Sequence, residues 1–211
     1  TCSPAIGISG SPDKTLEAAN QVTAFVNGTW GYRRFLNHCA SLAMQAGGVD
    51  AFLLGSELRG LTSIRESRDS FPFVTHLCTL AAEMRTKLGQ SCRISYGADW
   101  TEYFGYQAQD GTGDLFFNLD ALWAHPAINA IGVDNYMPLA DWRDGDLDGG
   151  NPDGFEGAYD LDGLSSNIEA GEGFDWYYAN SENREQRKRT PITDGLAGKP
   201  GVYRYKDIRS W

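Results

Sequence analysis

The stretch VDAFLLGSELRG, residues 49–60, combines a continuous apolar run with a carboxylate at its end. The run that stops at Gly55 is too continuous for a strand that buries only one face, so it predicts a strand of a parallel sheet covered on both sides. Ser56 and Glu57 follow at once. Glu57 is therefore either an ordinary exposed loop residue or a group at the mouth of an α/β barrel, where strand ends carry catalysis.

Length and composition predict one globular domain over residues 1–211, because 41% of the residues are hydrophobic and 22% are charged. The net charge of -10 disfavours nucleic acid as a partner, since an acidic surface repels phosphates. No apolar run approaches the roughly 20 residues of a membrane-spanning helix. The chain opens on TCSPAIGISGSPDK, which has no signal-peptide pattern and no initiator Met. We therefore expect a piece of a longer protein.

Metal and cofactor motifs are weak in this sequence. The four cysteines show no CxxC pair, the three histidines do not cluster, and no glycine-rich phosphate loop follows a strand. Neither a metal nor a cofactor is therefore expected. Asp144, Asp146 and Asp148, followed by Gly149, spell the opening of a calcium loop, but Glu156 misses the closing position by one. An acidic surface loop is the favoured interpretation, and a weak calcium site is the alternative.

Apolar periodicity alternates between helices and strands along the first two thirds of the chain. The first helix is predicted to begin at a Ser11 cap with Pro12 in its first turn. Further helices are expected at about 32–45, 73–88, 118–124, 160–170 and 175–189, and strands at 49–54, 93–97 and 130–136. This alternation predicts an α/β fold with a parallel sheet.

Polar and aromatic residues follow all three predicted strands. They are Ser56 and Glu57 after the first, Asp99, Trp100, Glu102 and Tyr103 after the second, and Asp134, Asn135, Tyr136 and Met137 after the third. The ends of parallel strands converge on one face, so these residues predict a ligand site. The alternative is that strand ends are polar because loops are exposed.

Carboxylates among aromatic rings are typical of a glycosidase cleft, where one carboxyl group donates a proton and a second acts as nucleophile or base. Glu57 is the best candidate for the acid, because an apolar pocket behind it would raise its affinity for a proton. Trp100, Tyr103 and Trp142 could stack on sugar rings. Ordinary packing is an equally good explanation for each ring.

Four segments of the chain resemble a known domain family. They are VDAFLLGSELRGLT (49–62), ISYGADWTEYFGY (94–106), IGVDNYMPLADWRDG (131–145) and TPITDGLAGKPGVYRYKDIRSW (190–211). Together they resemble the glycoside-hydrolase TIM-barrel-like domain of a baseplate protein in the tails of gene transfer agents and related phages of alphaproteobacteria. The resemblance implies a (β/α)8 barrel at a tail tip, with peptidoglycan or another cell-envelope glycan as substrate.

The resemblance also implies roles for single residues. Glu57 matches the acid/base at the end of strand 4, and Ser56 stands where an Asn commonly holds the sugar 2-hydroxyl. Asp134 and Tyr136 would line the cleft after strand 6, with Asp134 as a further catalytic candidate and Tyr136 orienting the nucleophile. The nucleophile of the wider clan lies at the end of strand 7, in a TELG-like segment that this chain lacks. With residues 1–8 at the end of strand 3, the barrel is expected to be incomplete.

Three functions therefore stay open. The domain could hydrolyse glycan, with Asp99, Glu102 or Asp194 as weak stand-ins for the second carboxylate. It could be a carbohydrate-binding module that kept the barrel and lost catalysis. It could also be a structural piece that contacts only neighbouring tail or baseplate proteins. In each case the resemblance implies a phage-like particle that is assembled in the cytoplasm and acts at the host envelope.

Overall fold

The computed structural model describes residues 12–102, 105–147, 150–193 and 206. The chain divides into two compact units, Thr1–Asn135 and Tyr136–Trp211. The single domain expected from the sequence stays a prediction, and each unit is described by itself.

The first unit contains five helices and five strands among its described residues. The helices are α1 (Leu16–Asn27), α2 (Tyr32–Gln45), α3 (Arg59–Thr62), α4 (Pro72–Leu88) and α5 (Asp120–Trp123). The strands are β1 (Ala51–Ser56), β2 (Arg93–Asp99), β3 (Tyr106–Gln107), β4 (Leu115–Phe116) and β5 (Gly132–Asp134). Helix and strand alternate through β1, α4, β2, α5 and β5, as the sequence predicts.

Strands β1, β2 and β5 form a parallel sheet in that order, and β3 pairs with β4 in a short hairpin. The expected α/β class and parallel pairing are thus confirmed. The described residues do not close into a barrel, so the implied (β/α)8 architecture is seen only as three neighbouring parallel strands. Residues 1–8, assigned to the end of an earlier strand, lie outside the described part of the chain.

One face of the parallel sheet forms the core of the first unit. Leu54, Ile94, Tyr96 and Ala98 are fully buried there, together with the inner faces of α1, α2 and α4. On the other face, Leu53 is 53% exposed. The expectation that β1 is covered on both sides is therefore wrong for the described structure. The sequence could not show this exposure, because an apolar residue at this position is compatible with a covered and with an uncovered face of the sheet.

Helix α1 begins four residues later than predicted. Thr15, rather than Ser11, is the N-cap, and its hydroxyl accepts a hydrogen bond from the Ala18 N–H at 3.3 Å. Ser11 lies outside the described residues. The buried face consists of Ala18, Val22 and Val26, and the helix ends at a Gly28 cap as expected. Thr15 caps the helix because its extended backbone points its side chain back at the first turn.

Helices α2 and α4 match their predicted bounds closely, and both end at positions followed by glycine. Helix α4 supplies the largest share of the core. Its buried residues are Pro72, Phe73, Val74, Leu77, Leu80, Ala81, Met84 and Leu88. Helix α2 buries only Leu36 and Ala40, while its Phe35 and Leu42 are 58% and 50% exposed. None of the described helices is long and apolar enough to span a membrane.

The second unit contains a 3-10 helix (Asp144–Asp146), α6 (Leu161–Ser166), α7 (Ser181–Glu185) and a hairpin of β6 (Trp176–Tyr177) with β7 (Thr190–Pro191). The helix predicted over 175–189 is wrong apart from its five residues in α7. Arg184, Arg187 and Arg189 in this range pair with carboxylates elsewhere in the unit. Because those partners are distant in sequence, helical charge spacing could not reveal them.

Asp141 and Asp146 are the centres of this ionic network. Asp146 is 3% exposed and is paired with Arg187, and Asp141 accepts a hydrogen bond from the Tyr178 hydroxyl at 2.6 Å. Arg189 binds Asp153 at 2.7 Å. Burial by itself would raise the pKa of Asp141, but the hydrogen bond from Tyr178 and the nearby arginines lower it. The described residues of the second unit are therefore organised by charge more than by an apolar core.

Candidate functional site

The carboxyl ends of β1, β2 and β5 meet at one edge of the parallel sheet. Ser56 is in register with Gly97, and Asp99 is in register with Asp134. The structure thus brings together the ends of all three strands, as the sequence predicts. This edge is where open and closed parallel sheets bind ligands.

Ser56 and Asp134 are joined across the central strand. The Ser56 hydroxyl donates a hydrogen bond to Asp134 Oδ2 at 2.5 Å, although the two residues belong to the outer strands β1 and β5. Gly97 of β2 lies between them. A Cβ atom at Gly97 would stand 3.1 Å from Asp134 Oδ2 and 3.3 Å from Ser56 Oγ. The two side chains therefore meet in close contact with the space that a Cβ at Gly97 would fill, and the sequence did not single out this glycine.

Glu57 leaves β1 in a left-handed backbone conformation, with φ of 53°. Few residues other than glycine, asparagine and aspartate adopt this conformation, because Cβ crowds the backbone. Two hydrogen bonds hold the turn. The Glu57 N–H donates to the Gly97 carbonyl oxygen at 2.8 Å, and the Leu58 N–H donates to the Tyr96 hydroxyl at 2.7 Å. Such strain is concentrated at functional sites, where surrounding contacts enforce it.

The apolar pocket expected around Glu57 is not present in the described structure, because Glu57 is exposed. The reason is that β1 continues through Gly55 and Ser56, which carries Glu57 beyond the apolar part of the strand. A buried carboxyl group is found elsewhere in the first unit, at Glu102, but its surroundings are polar.

Glu102 is 4% exposed and is surrounded by hydrogen-bond donors. Its carboxylate accepts hydrogen bonds from Thr62, from the Tyr96 hydroxyl at 3.1 Å and from the Asp99 N–H at 3.1 Å. Burial raises the pKa of Glu102, while these three donors act in the opposite direction. The sequence suggested Glu102 only as a weak stand-in, because its burial depends on α3 and β2 packing around it.

Glu102 and Glu57 are connected through one side chain. The Tyr96 hydroxyl donates to Glu102 and accepts from the Leu58 N–H, which directly follows Glu57. Removing the Glu102 carboxylate would free this hydroxyl and loosen the turn. Glu102 is therefore linked to the turn that carries Glu57 through the Tyr96 hydroxyl.

Comparison with models of known protein families shows which family the chain belongs to. A family model described as the GTA TIM-barrel-like domain matches residues 30–211. The chain belongs to this family. Comparisons with curated proteins and with solved structures found no match. The resemblance to a TIM-barrel-like domain of gene transfer agents is thus confirmed, and the matched range includes all three parallel strands.

The other candidate residues of this GTA TIM-barrel-like domain lie in different surroundings. Trp100 is half-buried in the turn after β2. Tyr136 is 65% exposed and Trp142 is half-buried, and both belong to the second unit, so their part in the site stays a prediction. Tyr103 and the stand-in Asp194 lie outside the described residues.

Asp99, another candidate for the second carboxylate, makes local hydrogen bonds in this GTA TIM-barrel-like domain. Its Oδ1 accepts a hydrogen bond from the Thr101 N–H at 2.8 Å, and a second from the Thr101 hydroxyl. This arrangement is an Asx turn, which holds the chain after β2. Of the carboxylates at this sheet edge, Glu57 and Asp134 thus remain the better candidates for chemistry.

No group of three His, Cys, Asp or Glu side chains suited to a metal occurs in the part of the chain that the structure describes. In the loop with the calcium-like pattern, Asp146 is instead engaged by Arg187 and by the Asn151 amide at 3.1 Å. Asp148 and Gly149 lie outside the described residues. The arginine supplies the charge that a calcium ion would otherwise provide, so the described residues do not support a calcium site.

Proposed function

We propose that this domain is a glycoside-hydrolase-like module of a gene transfer agent tail, and that it acts on a cell-envelope glycan such as peptidoglycan. The observation that carries the proposal is the strained Glu57 beside the Ser56–Asp134 hydrogen bond, at the ends of parallel strands. Unrelated functions occur on barrel-like folds, so the proposal rests on these residues and not on the fold alone.

Each of these residues has a role in the proposed reaction. Glu57 protonates the glycosidic oxygen of the leaving sugar, for which its exposure at the sheet edge gives access. Asp134 faces the same edge as the second carboxylate, and the Ser56 hydroxyl fixes its orientation. The distance between two such carboxyl groups decides whether the anomeric configuration is retained or inverted.

A second function is favoured by one observation. Glu57 is exposed and lacks the apolar surroundings that are typical of catalytic acids. A carbohydrate-binding module without catalysis, or a structural baseplate module, would have no need of them. In both functions the domain would be a component of a phage-like tail, assembled in the cytoplasm and in contact with other tail proteins.

The test is mass spectrometry of sugars released from purified peptidoglycan, together with cosedimentation of the protein with the insoluble glycan. We would compare the parent chain with Glu57→Gln and Asp134→Asn, and with Glu169→Gln as a control at an exposed position. Release by the parent and the control, but not by the first two variants, is the expected result. Cosedimentation without release would mean that the domain binds the glycan and does not cleave it. Neither release nor cosedimentation would overturn the glycan proposal and favour a structural module.

A further inference from the structure

An open pocket of ≈ 470 Å³ lies within the second unit. Its volume falls in the range of about 300–1,000 Å³ that is usual for pockets that bind small molecules. The loop before β6, the β6–β7 hairpin with the segment after it, and α7 form its walls. The lining includes Glu172, Tyr177, Tyr178, Arg184, Pro191 and Ile192. We call it the Arg184 pocket.

Arg184 is held in place by two neighbours and is still accessible. Its guanidinium donates two hydrogen bonds to the Glu172 carboxylate, one of them from Nη1 to Oε2 at 3.3 Å. Its Cζ atom lies 4.8 Å from the centre of the Tyr178 ring. The Arg184 side chain is nevertheless 55% exposed. Because a guanidinium carries five N–H donors in a rigid plane, an Arg184 fixed in this way can also donate to a ligand at little cost in conformational entropy.

The loop that carries Glu172 has a well-defined backbone. Gly171 and Gly173 on either side have positive φ angles of 75° and 83°. The Gly171 N–H donates to the Asp175 carboxylate at 2.9 Å, and the Gly173 N–H donates to the Trp176 carbonyl oxygen at 2.8 Å. The Glu172 side chain is only 10% exposed, so its part in the pocket is to orient Arg184.

Tyr177, Pro191 and Ile192 give the pocket an apolar part. Tyr177 is 40% exposed, Pro191 is exposed and Ile192 is half-buried. Tyr177 and Pro191 belong to the paired strands β6 and β7, so the hairpin fixes their positions. The Arg184 pocket therefore combines an accessible aromatic residue and apolar side chains with an accessible hydrogen-bond donor.

The charges of the pocket favour a neutral ligand. Glu172 offsets the charge of Arg184, so an anion would have to compete with this carboxylate, and a cation would be repelled by the guanidinium. A neutral ligand with hydroxyl oxygens can accept hydrogen bonds from Arg184 without breaking the ion pair. A pyranose has such hydroxyls at its edge, and its apolar face can pack on an aromatic ring.

We propose that the Arg184 pocket binds a neutral saccharide, with Arg184 donating to its hydroxyl oxygens and Tyr177 packing on a sugar ring. The cell-envelope glycan as the source of this saccharide rests on the proposed function. The site itself is additional, because its residues belong to the second unit, whereas Glu57 and Asp134 belong to the first. Such a pocket would give the domain affinity for a glycan whether or not the domain cleaves it.

The test is NMR titration of the ¹⁵N-labelled chain with N,N′-diacetylchitobiose, a neutral disaccharide. The Arg184 Nε–H and the backbone amides of Glu172 and Tyr177 are observed, and saturable shifts of all three are expected. Tyr177→Ala removes the ring, and Arg184→Lys keeps the charge beside Glu172 but removes the planar donor group. Each variant should weaken binding about tenfold.

Two control variants match these substitutions at other exposed positions. Tyr159→Ala removes a tyrosine that is 94% exposed. Arg68→Lys changes an arginine of the first unit that is also paired with a carboxylate, that of Asp114, and whose side chain is 77% exposed. Both controls should bind the disaccharide as the parent does.

Several outcomes would overturn the proposal. They are no saturable shifts in a folded protein, an affinity of Tyr177→Ala equal to that of the parent, and an equal response to glycerol or to acetate, which would indicate general polyol or anion binding. Glu57→Gln should titrate as the parent does. A positive titration without release from peptidoglycan would therefore remove the catalytic proposal alone. Release from peptidoglycan without shifts at Glu172 and Tyr177 would remove the Arg184 pocket alone.

Discussion

Glu57 and Glu102 are two carboxylates of the first unit with opposite environments. Glu57 is exposed on a strained backbone, whereas Glu102 is buried among donors. The strain at Glu57 lowers stability and persists because Gly97 and Tyr96 bind the turn.

The first prediction is that Glu57→Asn stabilises the protein. Asn tolerates the left-handed region better than Glu, so the free energy of unfolding should rise by about 1 kcal/mol. Urea denaturation followed by circular dichroism measures the change. Glu169→Asn, at an exposed position with no left-handed backbone, is the control and should not be stabilised. An equal effect in both variants would mean that the backbone at Glu57 is not strained.

The second prediction concerns the pH dependence of stability at Glu102. Burial raises the pKa of Glu102 above its ordinary value of 4.5. At a pH just above 4.5, the folded state therefore keeps a proton on Glu102, whereas the unfolded state has already released it. The contribution of Glu102 to the free energy of unfolding is fully present at lower pH, and it is lost as the pH rises through the pKa of the folded state.

The stability difference between the parent and Glu102→Gln should therefore shrink as pH rises above 4.5. Urea denaturation of both proteins over about pH 4 to 8 measures it, and the other titrating groups cancel in the difference. Glu169→Gln is the control and should show a constant difference. A difference that grows with pH would show that the donors around Glu102 outweigh its burial.

At the scale of elements, the sheet edge depends on two glycines without side chains, Gly97 of β2 and Gly132 of β5. Gly97 lets side chains from β1 and β5 meet over the central strand, and Gly132 allows β5 to approach β2, since a Cβ there would stand 2.4 Å from the Tyr96 carbonyl oxygen. The parallel pairing places these glycines beside each other in register. The candidate site is thus a property of the three strands together.

The third prediction is that Gly97→Ala separates Ser56 from Asp134. The added methyl group would press on both side chains, so the hydrogen bond should be lost and the free energy of unfolding should fall by about 1–3 kcal/mol. Denaturation and the glycan assays measure the two effects. Gly157→Ala is the control, because a Cβ there meets no atom within 4 Å. Retention of both activity and stability in Gly97→Ala would contradict the proposed site geometry.

At the scale of the whole molecule, the first unit combines an apolar core with ion pairs such as Arg65–Asp13, whereas ion pairs predominate among the described residues of the second unit. The first unit buries a continuous apolar core around α4 and the parallel sheet. In the second, Arg187 and Arg189 pair with carboxylates while about a quarter of each arginine side chain is exposed. Salt screens exposed charges and leaves apolar burial intact or strengthened.

The fourth prediction is that salt affects the units unequally. In about 1 M NaCl, where the Debye length is about 3 Å, amide hydrogen exchange should rise in β6 and α7 but not in α4. Exchange measured by mass spectrometry on one sample makes α4 the internal control. Arg187→Gln should reproduce the effect at low salt. Equal exchange in both units would show that the ion pairs contribute little to the second unit.

The sequence by itself determined the local elements and their order. Apolar periodicity and glycine stops predicted α2 and α4 closely, and the polar residues after each strand predicted which edge carries the site. The four resembling segments also identified the family. These features are local, because helical and strand periods and turn residues act over a few positions.

Only the tertiary structure decided what each residue meets. The burial of Glu102, the approach of Ser56 to Asp134 across Gly97, the exposure of Leu53 and the pairing of Asp146 with Arg187 all join residues that are distant in sequence. No period in the sequence records such pairs, since burial and charge pairing depend on which elements pack together. For the same reason a carboxylate at a strand end could be recognised from the sequence, while its environment could not.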